Sequence, residues 1–138
     1  MPTVQYNVYN ASCPTREVLD RIADKWATLV VGVLAPGPRR FSELKTEIDG
    51  ISSRMLSHTL RLLERDGLVD REVYGTLPPK VVYSLTPLGH KLEDVLGHLR
   101  TWAETHIEEI ASARQAYDQR DDDATPWLRP VPMPSSEA

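Results

Sequence analysis

Phe41-Ser42-Glu43-Leu44-Lys45-Thr46-Glu47-Ile48, then Asp49-Gly50, then Ile51-Ser52-Ser53-Arg54-Met55-Leu56-Ser57-His58-Thr59-Leu60-Arg61-Leu62-Leu63-Glu64-Arg65 is the stretch whose reading decides the fold. Both runs have helical spacing, and the Asp-Gly between them forces a tight break. Wound at about 100° per residue, the second run places Met55, Leu56, Thr59, Leu60, Leu62 and Leu63 on one side. Arg54, Ser57, His58, Arg61 and Arg65 fall on the other. Ser52 and Ser53 stand where a side-chain oxygen caps a helix start, and Asp66-Gly67 offers a residue able to take the left-handed conformation that ends one.

Working outward toward the C-terminus, residues 68–74 and 80–85 are rich in β-branched and aromatic side chains and flank Gly75-Thr76-Leu77-Pro78-Pro79, which predicts a hairpin. Two helices at a tight turn followed at once by a hairpin is the layout of a winged helix-turn-helix. The expected class is therefore mainly α with a small β-hairpin. A helix that enters the major groove needs forked or hydroxyl donors on its outer face, because guanine presents O6 and N7 acceptors and phosphates accept from Arg, Ser and backbone N–H. Ser52, Ser53, Arg54, Ser57, His58 and Arg61 supply that set, and Arg71 and Lys80 of the hairpin are placed to touch backbone phosphate. The plainer reading of the same helix is a solvated basic face.

Several segments carry a resemblance in order along residues 13–106: Cys13-Pro14, Arg39-Arg40-Phe41-Ser42-Glu43-Leu44, Gly50-Ile51-Ser52-Ser53-Arg54-Met55-Leu56, Leu63-Glu64-Arg65-Asp66-Gly67-Leu68-Val69, Pro78-Pro79-Lys80-Val81-Val82-Tyr83-Ser84-Leu85-Thr86 and Leu88-Gly89. Together they resemble the HxlR-type bacterial transcriptional regulators. The resemblance implies a dimeric winged-helix protein that represses or activates nearby genes, with the helix over residues 52–65 as reader. It also implies that Cys13 is a candidate sensor, because some relatives sense oxidants or electrophiles with the matching cysteine.

Toward the N-terminus, Pro14 is suited to open a helix in which Val18, Leu19, Ile22, Ala23 and Trp26 recur at helical spacing. The pattern continues to Leu34 and stops at Pro36-Gly37-Pro38, and Trp26 reads as core. Residues 1–12 form an N-terminal arm whose alternation of Val4, Tyr6 and Val8 leaves strand and disorder equally open. Beyond Thr86-Pro87 one helix is expected over residues 88–117, roughly 45 Å long at 1.5 Å per residue. Leu88, Leu92, Val95, Leu96, Leu99, Trp102, Ala103, His106 and Ile110 share its apolar face, longer than a core of this size covers. Leu88, Leu92, Val95, Leu99, Trp102, His106 and Ile110 are accordingly read as a homodimer interface. Two copies would set two reader helices on a pseudo-palindromic site in double-stranded DNA. Residues 118–138, acidic and Pro-rich, cannot build a core and are expected to form a mobile tail beyond the 13–117 domain.

The chain has 138 residues, enough for one domain with one core, and 41% hydrophobic and 26% charged residues, ordinary for a globular protein. Its net charge of −4 is set by the C-terminal end, where residues 104–138 hold eight acidic and three basic groups. The rest holds 12 acidic and 13 basic, and nucleic-acid affinity follows local contacts rather than net charge. There is neither an apolar run of roughly 18 residues nor a signal-peptide pattern, so the expected compartment is the cytoplasm.

Cys13, the sole cysteine, excludes an intramolecular disulfide. At a helix N-terminus, with Arg16 nearby, its sulfur is in a setting that favours thiolate. The alternative is a small residue packed at a cap. His90, Asp94 and His98 step by four along a polar face, where a solvated surface outweighs a metal site, so no metal or cofactor is expected. No nucleophile elbow, phosphate-binding glycine loop or paired acid set points to catalysis. The expected function is a sequence-specific DNA-binding transcriptional regulator, with a small-molecule or oxidant effector. The alternatives are a winged-helix module that binds protein and not DNA, which has no need of Arg54 and Arg61, and a thiol-redox protein.

Overall fold

Local capping chemistry sets most element boundaries in the computed structural model, which describes residues 4–123. Asp24 sits mid-pattern in the first helical run, and its carboxylate accepts the N–H of Trp26 (2.8 Å) and Ala27 (3.4 Å). With ψ at 118° it breaks the run that the sequence presents as one helix into α1 (Thr15–Ala23) and α2 (Lys25–Leu34). Trp26, expected in the core, is half-buried against it instead, with the Lys25 ammonium 4.6 Å from its ring centroid.

The next two helices are α3 (Phe41–Glu47) and α4 (Ser53–Arg65). Gly50, at φ 86°, makes the turn between them, and Ile48 and Ile51 on either side are buried. The Ser52 hydroxyl caps α4 by accepting the Met55 N–H at 3.0 Å. At the other end Gly67 has φ 75°, its N–H bonds Glu64 O and the Leu68 N–H bonds Leu63 O, the paired bonds of a Schellman stop.

Strands β2 (Val69–Tyr74) and β3 (Lys80–Leu85) form the expected hairpin. A third strand that the sequence pattern does not announce, β1 (Arg39–Arg40), pairs with Tyr83 and Val82 and makes the order β1-β3-β2. Thr86 then caps α5 (Pro87–Asp123) by accepting the Gly89 N–H. At 37 residues this helix is about 55 Å long and ends six residues past the expected limit at 117. The rest of the expected tail, residues 124–138, lies outside the described residues.

Among the described residues, those up to Leu99 and those from Arg100 onward form two units. In the first, Val30, Val31 and Leu34 of α2, Leu44 of α3, Leu56, Leu60 and Leu63 of α4, Val69 and Leu85 of the sheet and Leu96 of α5 make one buried core. The core holds the inner face of α4 and leaves its outer face to solvent.

Candidate nucleic-acid interface

The periodicity of α4 divides its side chains as expected except at Met55, which is exposed although it falls on the apolar side, at Leu62, which is only half-buried there, and at Ser57 on the polar side. Leu56, Thr59, Leu60 and Leu63 are buried, while Ser52, Ser53, Arg54, His58 and Arg61 are exposed. Ser57 is half-buried, turned toward the sheet, and lines a cleft of 350 Å³ with Leu60, Arg61, Glu64, Arg71 and Tyr83. The Ser52 oxygen is engaged in capping, so toward a ligand it offers its O–H.

Strand register decides what the hairpin contributes. Arg71 lies opposite Tyr83 and Val69 opposite the buried Leu85, so Arg71 is on the sheet face that looks onto α4. Lys80 is opposite Tyr74 and belongs to the other face, where it shares a 470 Å³ cleft with Arg40, Glu43 and Val82. Arg71 and Lys80, grouped together in the sequence reading, are thus separated by the sheet, Arg71 joining Arg61 and Lys80 joining Arg40. Arg40 was missed as a site residue, because its place beside Lys80 depends on the β1 pairing.

The cations differ in what they already bind. Arg21 pairs with Asp66 at 2.6 Å and Arg39 with Glu47 at 3.3 Å, while Arg54, Arg61, Arg71 and Lys80 form no ion pair with any described residue. The first two are structural. The other four have no carboxylate within ion-pair distance among the described residues, which leaves their donors available to an external anion. On the Lys80 face, the Tyr74 hydroxyl donates to Glu72 at 3.1 Å, and this bond together with the nearby charge raises the Tyr74 pKa.

Cys13 is half-buried beside the start of α1, with Sγ 3.0 Å from the Thr15 hydroxyl oxygen. Its pKa is lowered, first by the Thr15 side chain, then by the Thr15 backbone, with smaller help from the Asn7 backbone against an opposing effect of burial. Arg16, expected to help, contributes least, and its guanidinium donates to Val8 O at 2.7 Å and Tyr9 O at 3.0 Å.

Of the apolar stripe on α5, Leu96 is buried and Leu92 packs against the core, whereas Leu88 (53%), Val95 (52%), Leu99 (50%) and Trp102 (57%) remain exposed. His106 and Ile110 are half-buried. The His106 ring is tilted 42° against Trp102 at 5.0 Å, and its Nδ1 is 3.5 Å from Glu109. His90, Asp94 and His98 are all exposed. No helix among the described residues is long and apolar enough to cross a membrane.

The family model described as HxlR-like helix-turn-helix matches residues 21–111. The chain belongs to this family. The match takes in α3, α4 and the hairpin and begins eight residues after Cys13. Over 108 residues the chain is 39% identical to the uncharacterised HTH-type transcriptional regulator YtfH of Escherichia coli strain K12, covering 78% of this chain and 86% of that one. Among solved structures, the transcriptional regulator ytfH of Salmonella typhimurium superposes with a TM-score of 0.76 at 37% identity, over 80% of this chain and 99% of that one. The redox regulator HypR in its oxidised form gives 0.63 at 42% identity, over 67% and 96%. This HxlR-family chain is a winged helix-turn-helix protein with a long C-terminal helix, the class expected from its sequence.

Proposed function

We propose that this HxlR-family protein is a cytoplasmic transcriptional regulator, not an enzyme, that binds a pseudo-palindromic site in double-stranded DNA as a homodimer. In this reading α4 enters the major groove, Arg54, Ser57, His58 and Arg61 face the bases and flanking phosphates, and Ser52 and Ser53 donate at the helix start. Arg71 grips the phosphate strand that passes between α4 and the hairpin, and Lys80 meets phosphate on the outer face. The observation that carries the reading is the set of cations with no internal partner on α4 and the hairpin. Leu88, Leu92, Val95, Leu99, Trp102, His106 and Ile110 make the dimer contact, supported by the exposed apolar seam along α5.

The test is fluorescence anisotropy on DNA upstream of the protein's own gene across a salt series. Arg54→Ala and Arg61→Ala are each expected to weaken binding by about 1–3 kcal/mol with the fold intact. Lys80→Ala should weaken all sequences alike and flatten the salt dependence. Unchanged binding in both arginine variants removes α4 as the reader.

Oxidant responsiveness through Cys13 is a second part of the reading. It is supported by the lowered thiol pKa and by the likeness to the redox regulator HypR. The corresponding test compares DNA binding of wild type and Cys13→Ser before and after diamide.

A further inference from the structure

The hairpin of β2 and β3 stands clear of the core. Val69 and Leu85 at its base are buried, while residues 71–80 are exposed on both faces of β2 and around the turn. The Tyr74–Lys80 pair closes the ladder that the Val69–Leu85 pair opens, so the turn lies about 17 Å beyond the base at ~3.4 Å per residue. That reach is about half of the ~34 Å helical repeat of DNA, the distance from a major groove to the minor groove beside it.

The turn is built to leave water at low cost. Gly75-Thr76-Leu77-Pro78-Pro79 holds no charged side chain, and its two prolines have no N–H to desolvate. Thr76 uses both of its donors inside the turn, its N–H to Tyr74 O and its hydroxyl to Pro78 O, each at 2.8 Å. These bonds and the fixed φ of the prolines hold Leu77 at the apex, where it is 99% exposed. Single exposed leucines are ordinary on a protein surface. This one differs in crowning an uncharged apex on a ribbon whose cations, Arg71 on one face and Lys80 on the other, form no ion pair with any described residue. The carboxylate nearest to it in sequence, Glu72, accepts the Tyr74 hydroxyl. An apolar point carried between two cations is complementary to stacked bases flanked by phosphates.

We infer that Leu77 is a wedge. With α4 in a major groove, the turn enters the neighbouring minor groove, and the leucine side chain inserts between two base pairs, unstacks them and bends the duplex toward the major groove. The inference rests on the regulator reading and deepens it, by giving the wing a base step to contact as well as a phosphate. Opening a step costs least at the pyrimidine–purine steps TA, CA and TG. Leu77 thereby makes the protein selective at a position where it forms no hydrogen bond to a base.

The experiment is permanganate footprinting of the full chain on DNA upstream of its own gene, with dimethyl sulfate protection on the same fragment to place α4 by the guanine N7 atoms it shields. Permanganate oxidises thymines that have lost their stacking, and each of the three flexible steps carries a thymine on at least one strand. Wild type is expected to give hyperreactive thymines about 5 base pairs from the shielded guanines, half a helical turn away. Leu77→Ala should keep the wild-type unfolding midpoint, abolish the hyperreactivity and bind about tenfold more weakly, because the apolar burial lost is partly returned by a step that stays stacked. Its salt dependence should match wild type, since no phosphate contact is removed, and Leu77→Met should keep the hyperreactive thymines. A wild-type protein that binds no DNA overturns the regulator reading and the wedge together. Binding without hyperreactive thymines, hyperreactivity that survives Leu77→Ala, or an affinity that this variant leaves untouched overturns the wedge and leaves the regulator reading standing. So does a fall in the mass of DNA-free Leu77→Ala by light scattering, which would assign the turn to a second copy of the chain.

Discussion

Gly89→Ala is the substitution for which the structure makes the sharpest demand. A Cβ built on Gly89 would lie 2.1 Å from the carbonyl oxygen of Leu68, 3.1 Å from its carbonyl carbon and 3.2 Å from Leu85 Cδ2. The nearest atom is backbone, so no rotamer change relieves the overlap. It belongs to the residue that follows the Schellman stop of α4 and accepts the Thr86 N–H at 3.1 Å. Two effects oppose. Alanine in place of glycine in a helix gains about 0.8–1 kcal/mol of propensity. Against this, overpacking a filled site costs about 1–3 kcal/mol, and loss of the Leu68–Thr86 bond about 0.5–1.5 kcal/mol. The steric side wins, and the expected net loss is about 1–3 kcal/mol. Urea denaturation followed by circular dichroism measures it, as a fall in midpoint with an unchanged slope. The same displacement moves the start of α5 away from the end of α4, so DNA affinity is expected to fall as well. A Gly89→Ala protein as stable as wild type, or more so, would refute the reasoning, because propensity alone would then account for the outcome.

Leu99→Glu tests the assembly: Leu99 is half exposed, so completing its burial is worth roughly 0.8–1.5 kcal/mol per copy, and about 10- to 100-fold in dimer affinity when both copies contribute. Light scattering should give a dimer for wild type and a monomer for the variant, and a wild-type monomer at micromolar concentration would sink the two-half-site reading. Thr15→Val removes the hydroxyl that does most to lower the Cys13 pKa. The pKa should rise, the thiolate fraction at pH 7 should fall, and iodoacetamide alkylation should slow. An unchanged alkylation rate would show that the Thr15 hydroxyl does not govern this thiol.

The amino-acid sequence by itself determined the parts that depend on neighbours close in the chain. Ser52 as cap of α4, Gly67 as its stop, the Asp49-Gly50 break and the hairpin of residues 69–85 were all readable, because capping, left-handed glycine and side-chain period act over a few residues. Asp24 was readable in principle on the same grounds, as a capping side chain just ahead of an apolar run, but the unbroken helical spacing around it masked the signal. The family, too, was legible from motifs in order, most of which lie in these locally coded segments.

Only the tertiary structure decided the rest. The pairing of Arg39 and Arg40 with Tyr83 and Val82 joins residues more than forty positions apart, and two residues are too few to show an alternating pattern. The faces of Arg71 and Lys80 depend on the register across the Pro-rich turn, where a slip of one residue reverses every side chain. On α5 the apolar period marks a continuous stripe. The helix's own core takes Leu96 and leaves Leu99 and Trp102 to solvent, a division that exists only once α2, α4 and the sheet have closed around one end of the stripe.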